Sequence, residues 1–123
     1  MAKILIIDDD VLITNLMNTL VTIDGHTAIV VNDSTAAVRV AKAENPDLIT
    51  LDLMMPNLNG YEICELLRAD SQFARTPIII VSAKEDSKSK EMAYAAGATK
   101  FINKPFNIDD FLVAIKELTS QPL

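Results

Sequence analysis

The sequence predicts an α/β fold, a parallel sheet of five strands with helices on both faces. Two observations carry this expectation. Short aliphatic runs without polar alternation, such as Ile4 to Ile7 and "IIIVSA" at Ile78 to Ala83, recur along the chain. Such runs suit strands covered on both sides. Between them lie longer stretches of helical apolar spacing, and regular β–α alternation gives parallel strands joined by crossover helices. At 123 residues, half of them hydrophobic, the chain fits one domain able to bury a core.

The elements follow in order. After the first strand, Leu12, Leu16, Leu20 and Ile23 recur at helical spacing from Val11 to Ile23, with Asp10 as N-cap and Gly25 as the break. Thr27 to Val31 reads as the second strand. Asp33-Ser34 opens a helix through about Glu44, carrying Ala37, Val38, Val40 and Ala41, and Asn45-Pro46 stops it. Leu48 to Leu51 is the third strand. Asn59-Gly60 leads into a helix from about Tyr61 to Ala69 with Ile63, Leu66 and Leu67 inward. Thr76-Pro77 precedes the fourth strand, Lys88 to Ala96 forms a helix ended by Gly97, and Lys100 to Asn103 is a short fifth strand. Ile108 to Leu118 is the last helix, with Asp109 and Asp110 favourable in its first turn.

The formal charge of −6 argues against nucleic acid or anionic membrane as a direct partner of these residues, since both require a basic face. No apolar run approaches the ~20 residues of a membrane span, and Met1-Ala2-Lys3 begins no signal-peptide pattern. A single cysteine, Cys64, allows no internal disulfide and suits a reducing cytoplasm. A cytoplasmic location is therefore expected. The chain's last residues, Gln121-Pro122-Leu123, are read either as a natural end or as a linker to a further domain.

In parallel sheets, ligands sit at the carboxyl ends of the strands, where the strand order reverses. Strand one ends in Asp8, Asp9 and Asp10; strand three in Asp52; strand four in Ser82 and Ala83; strand five in Asn103, Lys104 and Pro105. Asn32 and Asp33, after strand two, are expected to be peripheral. Two carboxylates about 4 Å apart repel by roughly 4 kcal/mol at the effective dielectric of a protein surface. One lysine cannot neutralise three acids, whereas a hard divalent cation with oxygen ligands can, and Mg²⁺ leaves positions for phosphate oxygens. Carboxylates are known phosphoryl-accepting nucleophiles, so Asp52 is the candidate acceptor, with Lys104 and Ser82 offsetting charge.

The segments "ILIIDDD", "DLITLDLMMPNLNGYE", "TPIIIVSA" and "AGATKFINKPF" resemble the receiver domains of two-component response regulators, in the right order and spacing. The resemblance covers Lys3 to Leu118 and takes residues 1–123 as one receiver domain. It implies a flavodoxin-like (βα)5 fold, doubly wound, with strand order 2-1-3-4-5 in three αβα layers. It makes Asp52 the phosphoacceptor. Asp8, Asp9 and the Met54 carbonyl become ligands, with Asp52, of Mg²⁺, for which Mn²⁺ is expected to substitute. Ser82 matches the switch hydroxyl, Ala83 the small residue beside it, Lys104 the phosphoryl-pairing lysine and Phe101 the switch aromatic. Lys104–Pro105 matches a peptide bond that is usually cis in the family. Phe101 lacks a hydroxyl, so no output contact can use one. Asp10 is assigned to helix capping.

The implied partners are a histidine kinase or histidine phosphotransfer protein as donor. Downstream, they are a protein or attached effector domain engaged through the face of the fourth helix, fifth strand and fifth helix. The domain would not be an enzyme in the usual sense, but would speed its own phosphorylation and dephosphorylation. Met54 and Lys84, two positions beyond site residues, are expected to tune the phosphoryl lifetime. Among other residues, His26 is read as a surface group, Cys64 as a small core hydrophobe, and Lys84 to Glu91 as a solvated helix start. The alternative is a haloacid-dehalogenase-like phosphohydrolase with Asp8 as nucleophile, disfavoured by the short chain and the missing late acidic motif. A flavin-binding flavodoxin is set aside, because three acids after strand one would repel phosphate.

Overall fold

The computed structural model describes residues 1–84 and 86–120. Glu85, within the charged Lys84–Glu91 stretch, and the terminal Gln121-Pro122-Leu123 lie outside the described residues. The strands are β1 (Lys3–Ile7), β2 (Thr27–Val31), β3 (Leu48–Leu51), β4 (Ile78–Ser82) and β5 (Lys100–Asn103). The helices are α1 (Val11–Ile23), α2 (Ala37–Glu44), α3 (Gly60–Arg68), α4 (Ser87–Ala96) and α5 (Ile108–Thr119). All pairings are parallel, in the order β2-β1-β3-β4-β5. The order reverses between β1 and β3, which is where such sheets open a crevice.

Strand alternation divides the core in two. Leu5, Ile7, Ile49, Leu51, Ile78 and Ile80 pack with α2 residues Ala37 and Ala41 and α3 residues Ile63, Cys64 and Leu67. Ile4, Ile6, Leu48, Ile79 and Val81 pack with α1 residues Met17 and Val21 and α5 residues Phe111, Ala114 and Ile115. Because successive strand residues point to opposite faces, an unbroken aliphatic strand feeds both cores at once.

Helix ends follow local chemistry. The Asp10 carboxylate accepts from the Leu12 and Ile13 N–H groups and starts α1. Asn59 and Glu62 form a reciprocal capping box at α3. Gly97 closes α4 in the left-handed conformation, φ 114°. Asp33 starts a short 3-10 turn, Ser34–Ala36, that leads into α2.

Two expectations, on Leu66 and on His26, need correction. The apolar spacing of Leu12, Leu16, Leu20 and Ile23 also does not mark the buried face of α1: Leu12 is 80% and Ile23 79% exposed and Leu20 is only partly buried, while Met17 and Val21 are buried. Both sets have helical spacing, and the approach of α1 to the sheet selects the second. Leu66 is half exposed, and Cys64 takes the inward place beside Ile63 and Leu67. His26 is not a surface group: its side chain is 10% exposed and Nδ1 accepts from the Ala2 N–H at 3.0 Å. It ties the chain start to the α1–β2 turn.

Candidate functional site

The sheet ladder fixes both acid-bearing strand ends. Asp8 N–H donates to the Val31 carbonyl at 3.1 Å, and Asp52 N–H donates to the Ile7 carbonyl at 3.0 Å. Carboxylate oxygens of Asp8, Asp9 and Asp52 thereby lie within 4.8 Å of one another. Asp8 and Asp52 are buried and Asp9 is exposed. Lys104, from the end of β5, donates Nζ–H to Asp8 Oδ2 at 2.6 Å and stands 3.6 Å from Asp52 Oδ2. Its backbone N–H donates to the Ser82 carbonyl at 2.9 Å, and the Lys104–Pro105 peptide is cis.

The electrostatics are unbalanced. At 4.8 Å, two carboxylates still repel by roughly 3 kcal/mol at an effective dielectric of 20. Burial, then the Asp8 charge, pushes the Asp52 carboxyl up from 3.8 to about 6; Lys104 and the Met54 amide hold it back, and Asp9 adds to the rise. The cluster therefore has an excess of negative charge, an all-oxygen donor set and one open, exposed member. That combination fits a hard divalent cation, which tolerates water in its remaining positions.

Other residues frame the cluster. Ser82 is fully buried and its Oγ accepts from the Lys84 N–H at 3.2 Å; Ala83 beside it is exposed. Phe101 packs at the margin of the α2–α3 core, with Lys90 Nζ 5.7 Å from its ring centroid. Met54 is more than half exposed at the rim, and Pro105 is exposed.

The supporting roles of two residues, Asn32 and Gly60, escaped the sequence reading. Asn32, expected to be peripheral, donates Nδ2–H to the Asp8 carbonyl at 2.9 Å and to Thr14 Oγ1 at 3.0 Å. It braces the backbone that carries the acids without joining their cluster. Asp33 is peripheral as expected, since its carboxylate serves Thr35. Gly60 is required by close approach: a Cβ there would collide with the Asp52 carbonyl oxygen and lie 2.8 Å from Leu53 Cα. The Asn59-Gly60 pair at the start of a helix was the available signal for that contact.

A doubly wound sheet that collects its acids and a lysine at its switch point has the architecture of a two-component signalling domain. The response regulator receiver domain model matches residues 4–116. The chain belongs to this family. It is 32% identical over 114 residues to the DNA-binding response regulator MtrA of Mycobacterium tuberculosis, covering 93% of this chain and 49% of that protein. It thus spans about half the length of the curated relatives it matches. Among solved structures, chemotaxis protein CheY4 of Vibrio cholerae superposes with a TM-score of 0.91 at 29% identity, covering 96% of this chain and 98% of that one. The receiver domain of sensor histidine kinase PA1611 of Pseudomonas aeruginosa has a TM-score of 0.90 at 25% identity, with 98% of each chain covered. That structure holds a magnesium ion coordinated in its active-site cleft. The haloacid-dehalogenase alternative finds no support, because the family match is to receivers. Among the described residues, no helix is long and apolar enough to cross a membrane.

Proposed function

We propose that Asp52 accepts a phosphoryl group from a phosphohistidine on a histidine kinase or histidine phosphotransfer protein. The observation that supports this best is the convergence of Asp8, Asp9, Asp52 and Lys104, from three different strand ends, on one small volume. One Asp52 oxygen attacks phosphorus, the nitrogen–phosphorus bond breaks, and the imidazole leaves with that bond's electron pair. Asp8, Asp9, Asp52 and the Met54 carbonyl would hold Mg²⁺, or Mn²⁺ in its place, which supplies positive charge against the phosphoryl oxygens. The chain's own contribution is positioning and charge neutralisation, which suffices for phosphoryl transfer.

Phosphorylation adds close to two negative charges and strong acceptor oxygens. Lys104, now shared between Asp8 and Asp52, gains a stronger partner. The Ser82 hydroxyl leaves the Lys84 N–H to donate to the phosphoryl group. Space beneath Ser82 then admits Phe101, and the α4–β5–α5 face repacks as a population shift between two arrangements. A downstream protein or attached effector domain reads that face; the greater length of the curated relatives favours an attached domain. Water admitted past Met54, Ala83 and Lys84 resets the acyl phosphate. The setting is cytoplasmic.

Incubation with a small phosphoryl donor and Mg²⁺, followed by borohydride reduction and peptide mapping, tests the reading. The expected label is on Asp52, and Asp52→Asn abolishes it. A label on Asp8, or uptake unchanged in Asp52→Asn, overturns the proposal.

A further inference from the structure

We infer that Ser34, at the corner between β2 and α2, is a positioning residue for the loop that carries the Met54 carbonyl, a role that rests on the phosphoryl-acceptor reading above. This loop leaves β3 at Asp52 and returns at α3. At its base, Gly60 N–H donates to the Leu53 carbonyl at 3.0 Å. At its tip, Pro56, Asn57 and Leu58 make a three-residue turn closed by Leu58 N–H donating to the Pro56 carbonyl at 3.0 Å. Asn57 sits at φ 72°, in the left-handed region that side chains other than glycine enter at a cost. Left to itself, such a turn relaxes by returning Asn57 to negative φ. Pro56 would swing with it, and Met54 lies two residues upstream.

Ser34 opposes that relaxation. The residue is 3% exposed, and its hydroxyl donates Oγ–H to the Pro56 carbonyl at 2.6 Å and accepts from the Leu58 N–H at 3.2 Å. One hydroxyl thus grips both ends of the strained turn, which needs a group that donates and accepts at once. Ser34 is itself anchored, because Asp33 caps the short turn that begins at Ser34. Asn32, two residues earlier, reaches from the same corner to the Asp8 carbonyl. The acids of β1 and the loop after β3 are therefore referenced to one rigid corner. Groups that orient metal ligands in this way cost about 10–100-fold in affinity when lost.

The test is Mg²⁺ titration of the full chain, followed by amide chemical shifts, with stability measured in parallel by denaturant unfolding. Ser34→Ala is expected to bind Mg²⁺ about tenfold more weakly. Adding Asn57→Gly, which makes positive φ comfortable without the hydroxyl, recovers most of that loss. A residue that only supports the fold would lower stability and leave Mg²⁺ affinity alone, and that result overturns the role. In the wild type, the Leu58 amide exchanges slowly with solvent; rapid exchange overturns the role even if Ser34→Ala fails to fold. A wild type that takes up no Mg²⁺ sinks the phosphoryl-acceptor reading, and this role with it. Wild-type binding matched by equal affinity in Ser34→Ala sinks the Ser34 role alone.

Discussion

Asp52 is buried beside a second carboxylate, and its folded pKa of about 6 stands above the ordinary 3.8. Between those values the folded state binds more protons than the unfolded one, so stability falls as pH rises across the window. Above pH 6 the fold carries the full cost of a buried charge. Asp52→Asn keeps the shape and removes the charge, so without metal it is expected to stabilise the protein at pH 7 by about 1–3 kcal/mol. That gain shrinks as pH falls from 6 toward 4, and denaturant unfolding across this range checks it. A gain that persists at pH 4 would have another source. The same residue was legible in the sequence because a lone acid at the end of an aliphatic strand has a fixed address in a parallel sheet. Ser34 was not legible. A serine after an aspartate reads as a helix start, and its partners are backbone atoms of Pro56 and Leu58, which leave no mark in the sequence.

At the scale of the element, boundaries were easier to read than faces. Asp10 and the Asn59–Glu62 pair start helices and Gly97 ends one through local hydrogen bonds and φ preference, so their signals survive in any tertiary setting. The inward face of α1 depends instead on how the crossover from β1 to β2 lays the helix on the sheet. Two apolar stripes compete there, and the one with more leucines stays mostly in solvent, with only Leu20 packed partly against the core. The consequence is measurable. Met17→Ala removes a buried side chain from the α1–α5 core and is expected to cost about 2–5 kcal/mol. Leu12→Ala, at an 80% exposed position, is expected to change stability by no more than about 0.5 kcal/mol. Equal losses from the two substitutions would reverse the assignment of faces.

For the whole molecule, alternation alone gave parallel strands and a common functional edge, while the order of the strands came only with the family resemblance. Periodicity does not encode which strand neighbours which; yet that order, placing β1 beside β3, is what brings Asp8 and Asp9 to Asp52. If the cluster holds the proposed cation, binding is linked to global stability, because unfolding disperses carboxylates drawn from separate strands. At a free Mg²⁺ concentration a hundredfold above its dissociation constant, the fold gains about 2.7 kcal/mol. For a chain of this size that corresponds to a rise of roughly 10 °C in the unfolding midpoint. A proton on Asp52 competes with the cation, so the same Mg²⁺ concentration gives a smaller rise at pH 5 than at pH 7.5, in keeping with a group that titrates near 6. Thermal unfolding of wild type and Asp9→Asn, with Mg²⁺ and with chelator at both pH values, separates this linkage from general salt screening. Screening would stabilise both proteins alike at either pH, whereas a site assembled from β1 and β3 loses most of its Mg²⁺ response in Asp9→Asn and regains nothing on acidification.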